Sequence, residues 1–183
     1  MKIKLLSAAA AIALSIAGGV IAADNPMVGG APMYASRSII QNAVNSKDHT
    51  ALVAAVKAGG LVDTLEGPGP FTVFAPTNAA FAALPPGTVD TLLKRENKDT
   101  LDKILTYHVV AGRLDSSALD QQITTGGGKA VLKTVQGEPL TVQGGGKNLV
   151  VTDEKGGTAH ITIADVYQSN GVIQVVDRVL MPN

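Results

Sequence analysis

Three histidines, at positions 49, 108 and 160, are the side chains best suited to bind a metal or move a proton near neutral pH. No two of them have the spacing of a helical metal-binding pair, and the chain has no cysteine to complete a site. We expect His49 to be exposed in a first helical turn and His160 to face outward from a strand. His108 is predicted in a largely buried strand, with its ring satisfied by a backbone carbonyl. The sequence therefore predicts neither a metal site nor a cofactor.

Residues that could support hydrolysis are poorly arranged. The chain contains no Gly-x-Ser-x-Gly turn, and nothing in the pattern orients His108 toward a serine. Acidic pairs occur at Asp63/Glu66 and Asp153/Glu154. A glycosidase holds two carboxylates across the scissile bond, and a sugar-binding cleft between them is hard to build with three Phe, three Tyr and no Trp. The sequence predicts that the protein is not an enzyme.

The charge balance bears on possible partners. Lys plus Arg and Asp plus Glu each number 15, which gives a net charge of zero. No basic stripe is present to neutralise a phosphate backbone, so nucleic acid is not an expected partner.

One aromatic stretch, from Phe71 to Phe81, contains every phenylalanine of the chain. Apolar residues over 71–75, with Phe74 among them, predict a short and largely buried strand. Pro76 is expected to end that strand, and Thr77 to cap a helix over 78–83. Phe81 stands at the spacing of a hydrophobic staple with Pro76. We interpret the stretch as a rigid structural hub rather than an active site.

The rest of the chain is rich in helix signals first and in strand signals later. Helical patterns begin near Ser38, Asp48, Leu61, Thr88, Asp99 and Asp115. A strand is predicted at 107–110, and further strands at 130–135, 139–142, 149–152, 158–164 and 172–176. This order of elements predicts an α+β fold.

Three motifs resemble those of fasciclin domains. The segment FTVFAPTNAAFAALP, from Phe71 to Pro85, is very similar to the first signature of the family. Tyr107-His108-Val109-Val110 and the segment from Asn170 to Pro182 resemble its second and third signatures, and the resemblance extends over residues 39–182. It implies a β-sandwich or wedge with several short helices packed along one side. The residues carrying the structural signature are Phe71, Phe74, Pro76, Thr77, Phe81, Asn170, Gly171, Asp177 and Pro182.

The same resemblance implies candidate binding residues. Tyr107 and His108 match the tyrosine-histidine segment that is implicated in integrin binding in animal fasciclin domains. Asp165-Val166 resembles the family's Asp-Ile segment, also linked to integrin contact, although valine stands here where isoleucine is more common. Two structural interpretations remain open: His108 is a satisfied core histidine, and Asp165 ties down the end of a strand.

The N-terminus has the pattern of a secretory signal over residues 1–22. Lys2 and Lys4 precede an apolar run, and small residues stand at the expected cleavage site near Ala22. Residues 23–36 contain several Gly and Pro breakers and are predicted to be a flexible arm. Residues 37–183 would form the fasciclin domain. We expect no membrane-spanning segment after cleavage, and a location in the periplasm or outside the cell.

These observations favour an exported bacterial adhesion or surface-binding module without catalytic activity. Its partner would be a protein or polysaccharide of a cell surface or extracellular matrix. The alternative is a periplasmic carrier that holds a small apolar or lipid ligand between its helices and its sheet. A pocket lined by Leu and Val would favour that alternative.

Overall fold

The computed structural model describes residues 25–146 and 148–183, so the predicted leader over 1–22 lies outside the described residues. The helices of the described part are α1 (Ile39–Ala43), α2 (Thr50–Gly59), α3 (Val62–Glu66), α4 (Asn78–Ala82), α5 (Thr88–Leu92), α6 (Lys98–Tyr107) and α7 (Ser116–Thr125). The strands are β1 (Met27–Val28), β2 (Ala31–Pro32), β3 (Phe71–Pro76), β4 (Val109–Ala111), β5 (Lys129–Lys133), β6 (Pro139–Gly145), β7 (Asn148–Thr152), β8 (Thr158–Gln168) and β9 (Gly171–Val176).

Seven of these strands form one mixed sheet in the order β4-β3-β9-β8-β7-β6-β5. Strands β3 and β9 are parallel, and the other neighbours are antiparallel. Register shifts between Ile161, Ile163 and Val166 bend β8, and a bridge between Val110 and Thr134 joins the two edges of the sheet. The α+β class is thus confirmed. The two layers of the expected β-sandwich or wedge are formed by two parts of one curled sheet.

The side chains of the described residues form two apolar clusters. One, enclosed by the curled sheet and covered by α7, includes Phe74, Tyr107, Leu119, Ile123, Leu140, Val151 and Val176. The other packs the opposite side chains of β3 and β9 against the helices and includes Val73, Ala75, Ile173, Val175, Leu52 and Leu105. Alternate residues of β3 therefore serve different cores, which explains why this strand is apolar on both faces.

The predicted hub is confirmed in its main features. Phe74 is 0% exposed in the enclosed core. Thr77 accepts a hydrogen bond from the amide of Ala80 at 3.2 Å and so caps α4. Pro76 is the last residue of β3 and still lies in register with Val176 of β9.

The predicted strand over 107–110 begins too early. Helix α6 continues to Tyr107, and His108 is its C-cap, with a helical backbone and an amide that donates to Leu105 at 3.1 Å. The strand begins only at Val109. The buried stripe of α6 includes Tyr107, so packing of the helix against the core extends it into residues whose local sequence suggests a strand.

The predicted flexible arm over 23–36 is also corrected in its described part. Residues 27–32 form a β-hairpin, the N-terminal hairpin, whose turn is made by Gly29 and Gly30 with φ of 58° and 76°. Two consecutive positive φ angles suit a tight hairpin turn, so glycines that appear to be breakers have a structural role. Val28 and Met33 are buried and belong to the apolar cluster between the sheet and the helices.

Asn170 connects three distant segments of the fold. Its Oδ1 accepts from the amide of Ile39 at 3.0 Å, and its Nδ2 donates to the carbonyls of Leu65 at 2.7 Å and Gly67 at 2.9 Å. The next residue, Gly171, has no room for a Cβ, which would overlap the backbone carbonyl of Phe71. These contacts explain in structural terms why asparagine and glycine begin the third signature, the segment from Asn170 to Pro182.

Replacing Asn170 by alanine is expected to lower the free energy of unfolding by about 2–3 kcal/mol, because a buried amide and two carbonyls lose their partner. Urea denaturation measures the effect. Asn45→Ala is the matched control, since Asn45 is exposed and its side chain makes one local bond, to Gln41. Equal midpoints for the two variants would contradict the role assigned to Asn170.

Candidate functional site

Tyr107 lies wholly inside the enclosed core. Its hydroxyl donates to the carbonyl of Pro139 at 2.9 Å and accepts from the amide of Glu154 at 3.1 Å. Burial raises the pKa of Tyr107 to about 12, while the hydrogen bond from Glu154 acts in the opposite direction. The side chain therefore joins the end of α6 to β6 and to the turn after β7.

His108 uses both ring nitrogens inside the protein. The ring is 2% exposed. Nδ1 donates to the carbonyl of Ile104 at 2.8 Å, and Nε2 accepts from the amide of Leu180 at 3.0 Å. Accepting at Nε2 requires a neutral imidazole, and burial lowers the pKa of His108 to about 4 although the Ile104 carbonyl and Asp153 raise it. A partner would find no free ring nitrogen here.

Asp165 is half-buried and connects two elements. Its carboxylate accepts from the amide of Ser116 at 2.7 Å and also from the Ser116 hydroxyl, which fixes the first turn of α7. Gln174 exchanges two hydrogen bonds of 3.1 Å with it. Asp165 adopts a φ of 59°, and this reciprocal pairing holds a backbone conformation that non-glycine residues rarely adopt. Its neighbour Val166 is fully buried.

The residues implied by resemblance therefore do not form one surface. Tyr107 and His108 bond to Pro139, Glu154, Ile104 and Leu180, whereas Asp165 bonds to Ser116 and Gln174. Within the described part of the chain, only Asp165 of this set is partly open to solvent. The binding role of these four residues stays a prediction. The buried ones, Tyr107, His108 and Val166, could affect binding only by stabilising the fold.

Polar and aromatic side chains lie around Asp165, and two of them, Arg113 and Tyr167, are exposed. Tyr167 is 41% exposed, and its hydroxyl donates to Asp115 at 3.1 Å. Arg113 is exposed, donates to the carbonyl of Gln168 at 3.2 Å and lies close enough to lower the pKa of Tyr167. Burial and the bond to Asp115 raise that pKa. We call these residues the Asp165 patch: Arg113, Asp115, Ser116, Asp165 and Tyr167.

The sequence pattern alone did not predict Arg113 or Tyr167 as site residues. Tyr167 follows Asp165 by two positions in a strand, and that spacing is a signal that both could face one side. Arg113 comes from the loop between β4 and α7, and no local pattern places it beside β8.

A cavity of about 30 Å³ lies between the sheet, helices α1 and α2, and the N-terminal hairpin. Its walls are mainly aliphatic and include Val28, Met33, Ile40, Leu52, Val73 and Ile173. Ser46, His49 and His108 also line it. A Val- and Leu-lined pocket at this place is the feature expected for the carrier alternative.

His49 is buried, and the prediction of an exposed residue is wrong. The turn Lys47–His49 precedes α2 and places the ring in the cavity wall, where it is 3% exposed. Nδ1 lies 2.9 Å from the hydroxyl of Ser46, whereas Nε2 has no partner in full hydrogen-bond geometry among the described residues. Burial lowers the pKa of His49, and a backbone hydrogen bond with Ala75 and the charge of Asp48 act in the opposite direction.

His160 lies on the exposed face of β8, as predicted. No group of three or more His, Asp or Glu side chains in the described residues is arranged to hold a metal ion. A helix long and apolar enough to cross a membrane does not occur in the described ranges.

Comparison with known proteins agrees with this architecture. The profile of the Fasciclin domain family matches residues 47–182. The chain therefore belongs to the fasciclin domain family.

Named relatives come from bacteria. Protein sll1483 of Synechocystis sp. is 47% identical over 147 residues, which cover 79% of this chain and 73% of the relative. The cell surface glycolipoprotein MPB83 of Mycobacterium bovis is 34% identical over 167 residues, covering 88% of this chain and 68% of the relative.

A solved structure shares the fold. The FAS1 domain pair from the insect cell adhesion molecule Fasciclin I superimposes with a TM-score of 0.70 at 17% sequence identity. The match covers 79% of this chain and 51% of the insect chain, so the present protein spans about half of that structure.

Proposed function

We propose that the protein is an exported, non-catalytic module that binds a surface outside the cytoplasm, and that the Asp165 patch makes the contact. The partner is a protein or a polysaccharide of a cell surface or extracellular matrix. The supporting observation is that Tyr167, on β8, and Arg113, on the loop before α7, lie beside Asp165 and are held there by hydrogen bonds.

The composition of the patch suits recognition. Tyrosine and arginine are enriched among the residues that dominate binding energy, and few-residue clusters often carry most of an interface's affinity. Asp165 holds Ser116 and Gln174, so the patch rests on a hydrogen-bonded frame and little ordering is needed on binding.

The chemistry of the patch does not favour catalysis. The hydroxyl of Ser116 donates to the Asp165 carboxylate, and no histidine contacts this serine among the described residues. A serine nucleophile needs a base that accepts its proton and is itself oriented by a third group. The Asp165 carboxylate instead accepts from the amide and the hydroxyl of Ser116 and so holds the first turn of α7.

Export is supported by the leader pattern over residues 1–22 and by a relative that is named a cell surface glycolipoprotein. The site of action under this proposal is the periplasm or the outside of the cell.

The proposal is tested by binding of the fluorescently labelled mature protein to producing cells, foreign cells, matrix proteins and polysaccharides. Saturable binding to one class, competed by unlabelled protein and absent with heat-denatured protein, is the expected result. Absence of saturable binding to every class would refute a surface-binding function.

The double variant Arg113→Ala/Tyr167→Ala is expected to bind about tenfold or more weakly, as for loss of a binding hot spot. The melting temperature should change little, because both side chains are exposed. Val131→Ala is the matched control: Val131 is 60% exposed on β5, outside the patch. An equal loss of binding in that control would show that the patch is not the contact surface.

A further inference from the structure

We propose that a groove between helix α4, the turn after β7 and the C-terminal segment binds a small amphiphile with a carboxylate head, of the size of a medium-chain fatty acid. The groove has a volume of about 300 Å³. Sites for small molecules usually measure roughly 300–1,000 Å³, so a ligand of this size fits. The groove shares no residue with the Asp165 patch, and this function does not depend on binding through that patch.

The groove has an apolar part that suits the tail of such a ligand. The end of α4 and the two residues beyond it contribute Ala80, Ala83 and Leu84. The C-terminal segment contributes Val179, which is buried, and Met181, which is half-buried. An apolar chain that lies here removes aliphatic surface of both segments from water, which favours binding.

Two cations line the same groove and suit the head. Lys155 lies in the turn between β7 and β8, and Arg178 lies at the start of the C-terminal segment. Both side chains are exposed, and neither takes part in an ion pair within the described residues. Lysine and arginine both pair with carboxylates, and the guanidinium group does so in a bidentate geometry.

The segments that carry these cations are joined by one buried carboxylate. The oxygens of Asp153, which is 7% exposed, accept from the amide of Gly157 at 2.6 Å and from the amide of Met181 at 3.0 Å. Gly157 lies so close that a Cβ there would overlap the Asp153 carboxylate. The turn with Lys155 is therefore fixed against the segment with Arg178, and a preformed site needs little ordering when it binds its ligand.

The charge of the lining favours a singly charged anion. Asp153 is the one acid among the described residues of the groove wall, against Lys155 and Arg178, so the lining has a net charge of +1. Glu154 and Asp177, neighbours of these residues in sequence, accept hydrogen bonds elsewhere and do not line the groove. A fatty acid is ionised at pH 7, and its single negative charge matches this lining.

The test is a titration of the full mature protein at pH 7 with octanoate, 1-octanol and acetate, followed by NMR through the backbone amides of Ala83, Lys155 and Met181. We expect saturable shifts with octanoate and no saturable shift with acetate. Binding of 1-octanol should be about fivefold weaker, because exposed ion pairs add modestly to affinity. Added salt should weaken the binding of octanoate but not that of 1-octanol.

Two variants separate the charged part of the site from its apolar part. Lys155→Gln/Arg178→Gln should bind octanoate about fivefold more weakly and 1-octanol as well as wild type does. Lys129→Gln is the matched control, because Lys129 is an exposed lysine on β5, outside the groove. Ala83→Phe places a ring in the groove and should abolish saturable binding of both ligands. Ala83 is exposed, so this variant should keep its fold.

No saturable shift with octanoate would overturn the proposal. Equal affinity for octanoate and 1-octanol, equal octanoate affinity in wild type and Lys155→Gln/Arg178→Gln, or undiminished octanoate binding in Ala83→Phe would overturn it as well. The double variant Arg113→Ala/Tyr167→Ala should keep full octanoate binding. Its behaviour distinguishes failure of this site from failure of the surface-binding function.

Discussion

Phe74→Ala is expected to lower the free energy of unfolding by about 3–5 kcal/mol, the usual cost of truncating a buried phenylalanine. Phe74 is fully buried in the core enclosed by the curled sheet, beside residues of α6 and α7. The surrounding strands are joined into a nearly closed sheet, so they cannot collapse fully into the space that the ring leaves.

Urea denaturation followed by circular dichroism measures this loss. Phe71→Ala is the matched control, because it removes the same ring from a half-buried position in the same strand. We expect a smaller loss in the control. A Phe74→Ala protein as stable as wild type would show that the hub is not the centre of the fold.

Acidification is expected to destabilise the protein through His108. The pKa of this ring is about 4 in the folded protein, against 6.5 for an unperturbed histidine. Well above pH 6.5 the ring is neutral in both states, so it adds no pH dependence there. As the pH falls from 6.5 toward 4, His108 becomes protonated in the unfolded chain but stays neutral in the folded protein. The free energy of unfolding therefore falls by about 3 kcal/mol.

The measurement is the free energy of unfolding at pH 7 and at pH 4.5, in wild type and in His108→Gln. The variant is less stable at pH 7, but its loss on acidification should be clearly smaller. His160→Gln is the control and should keep the wild-type dependence, since His160 is exposed. His49 has a lowered pKa as well and contributes in the same direction, so some dependence will remain in every variant. Identical profiles in wild type and His108→Gln would contradict the neutral, buried ring.

The parts of the fold that the sequence predicted are those with local signals. Ser38 and Thr77 are caps whose residue types act within one helical turn, and both make the expected hydrogen bonds. The alternating or continuous apolar character of the strands located most of the sheet, because side-chain period follows directly from strand geometry.

The sequence-based predictions differ from the structure where tertiary contacts determine the local conformation. A helical pattern begins near Asp48, but this residue lies in a tight turn before α2 and makes no capping bond. That turn buries His49, a position that local sequence marks as exposed. Helix α7, whose pattern begins near Asp115, continues to Thr125 because Leu119 and Ile123 cover the enclosed core. Neither outcome depends on short-range propensity.

The candidate site was predictable only in part. Asp165 was named from a motif, and its alternative role in tying down a strand agrees with its bonds to Ser116 and Gln174. The neighbours Arg113 and Tyr167 come together only through the bend of β8 and the path of the loop before α7. The cavity, too, is formed by segments far apart in sequence, which periodicity cannot bring together.

Under the proposed function, binding is carried by the exposed Asp165 patch and not by the buried tyrosine-histidine segment. The most direct measurement is a titration of the recognised surface with labelled wild type, Arg113→Ala/Tyr167→Ala and folded His108→Gln. We predict that the patch variant binds about tenfold or more weakly, while His108→Gln retains wild-type affinity. Unchanged affinity of the patch variant together with loss of binding in folded His108→Gln would contradict the account.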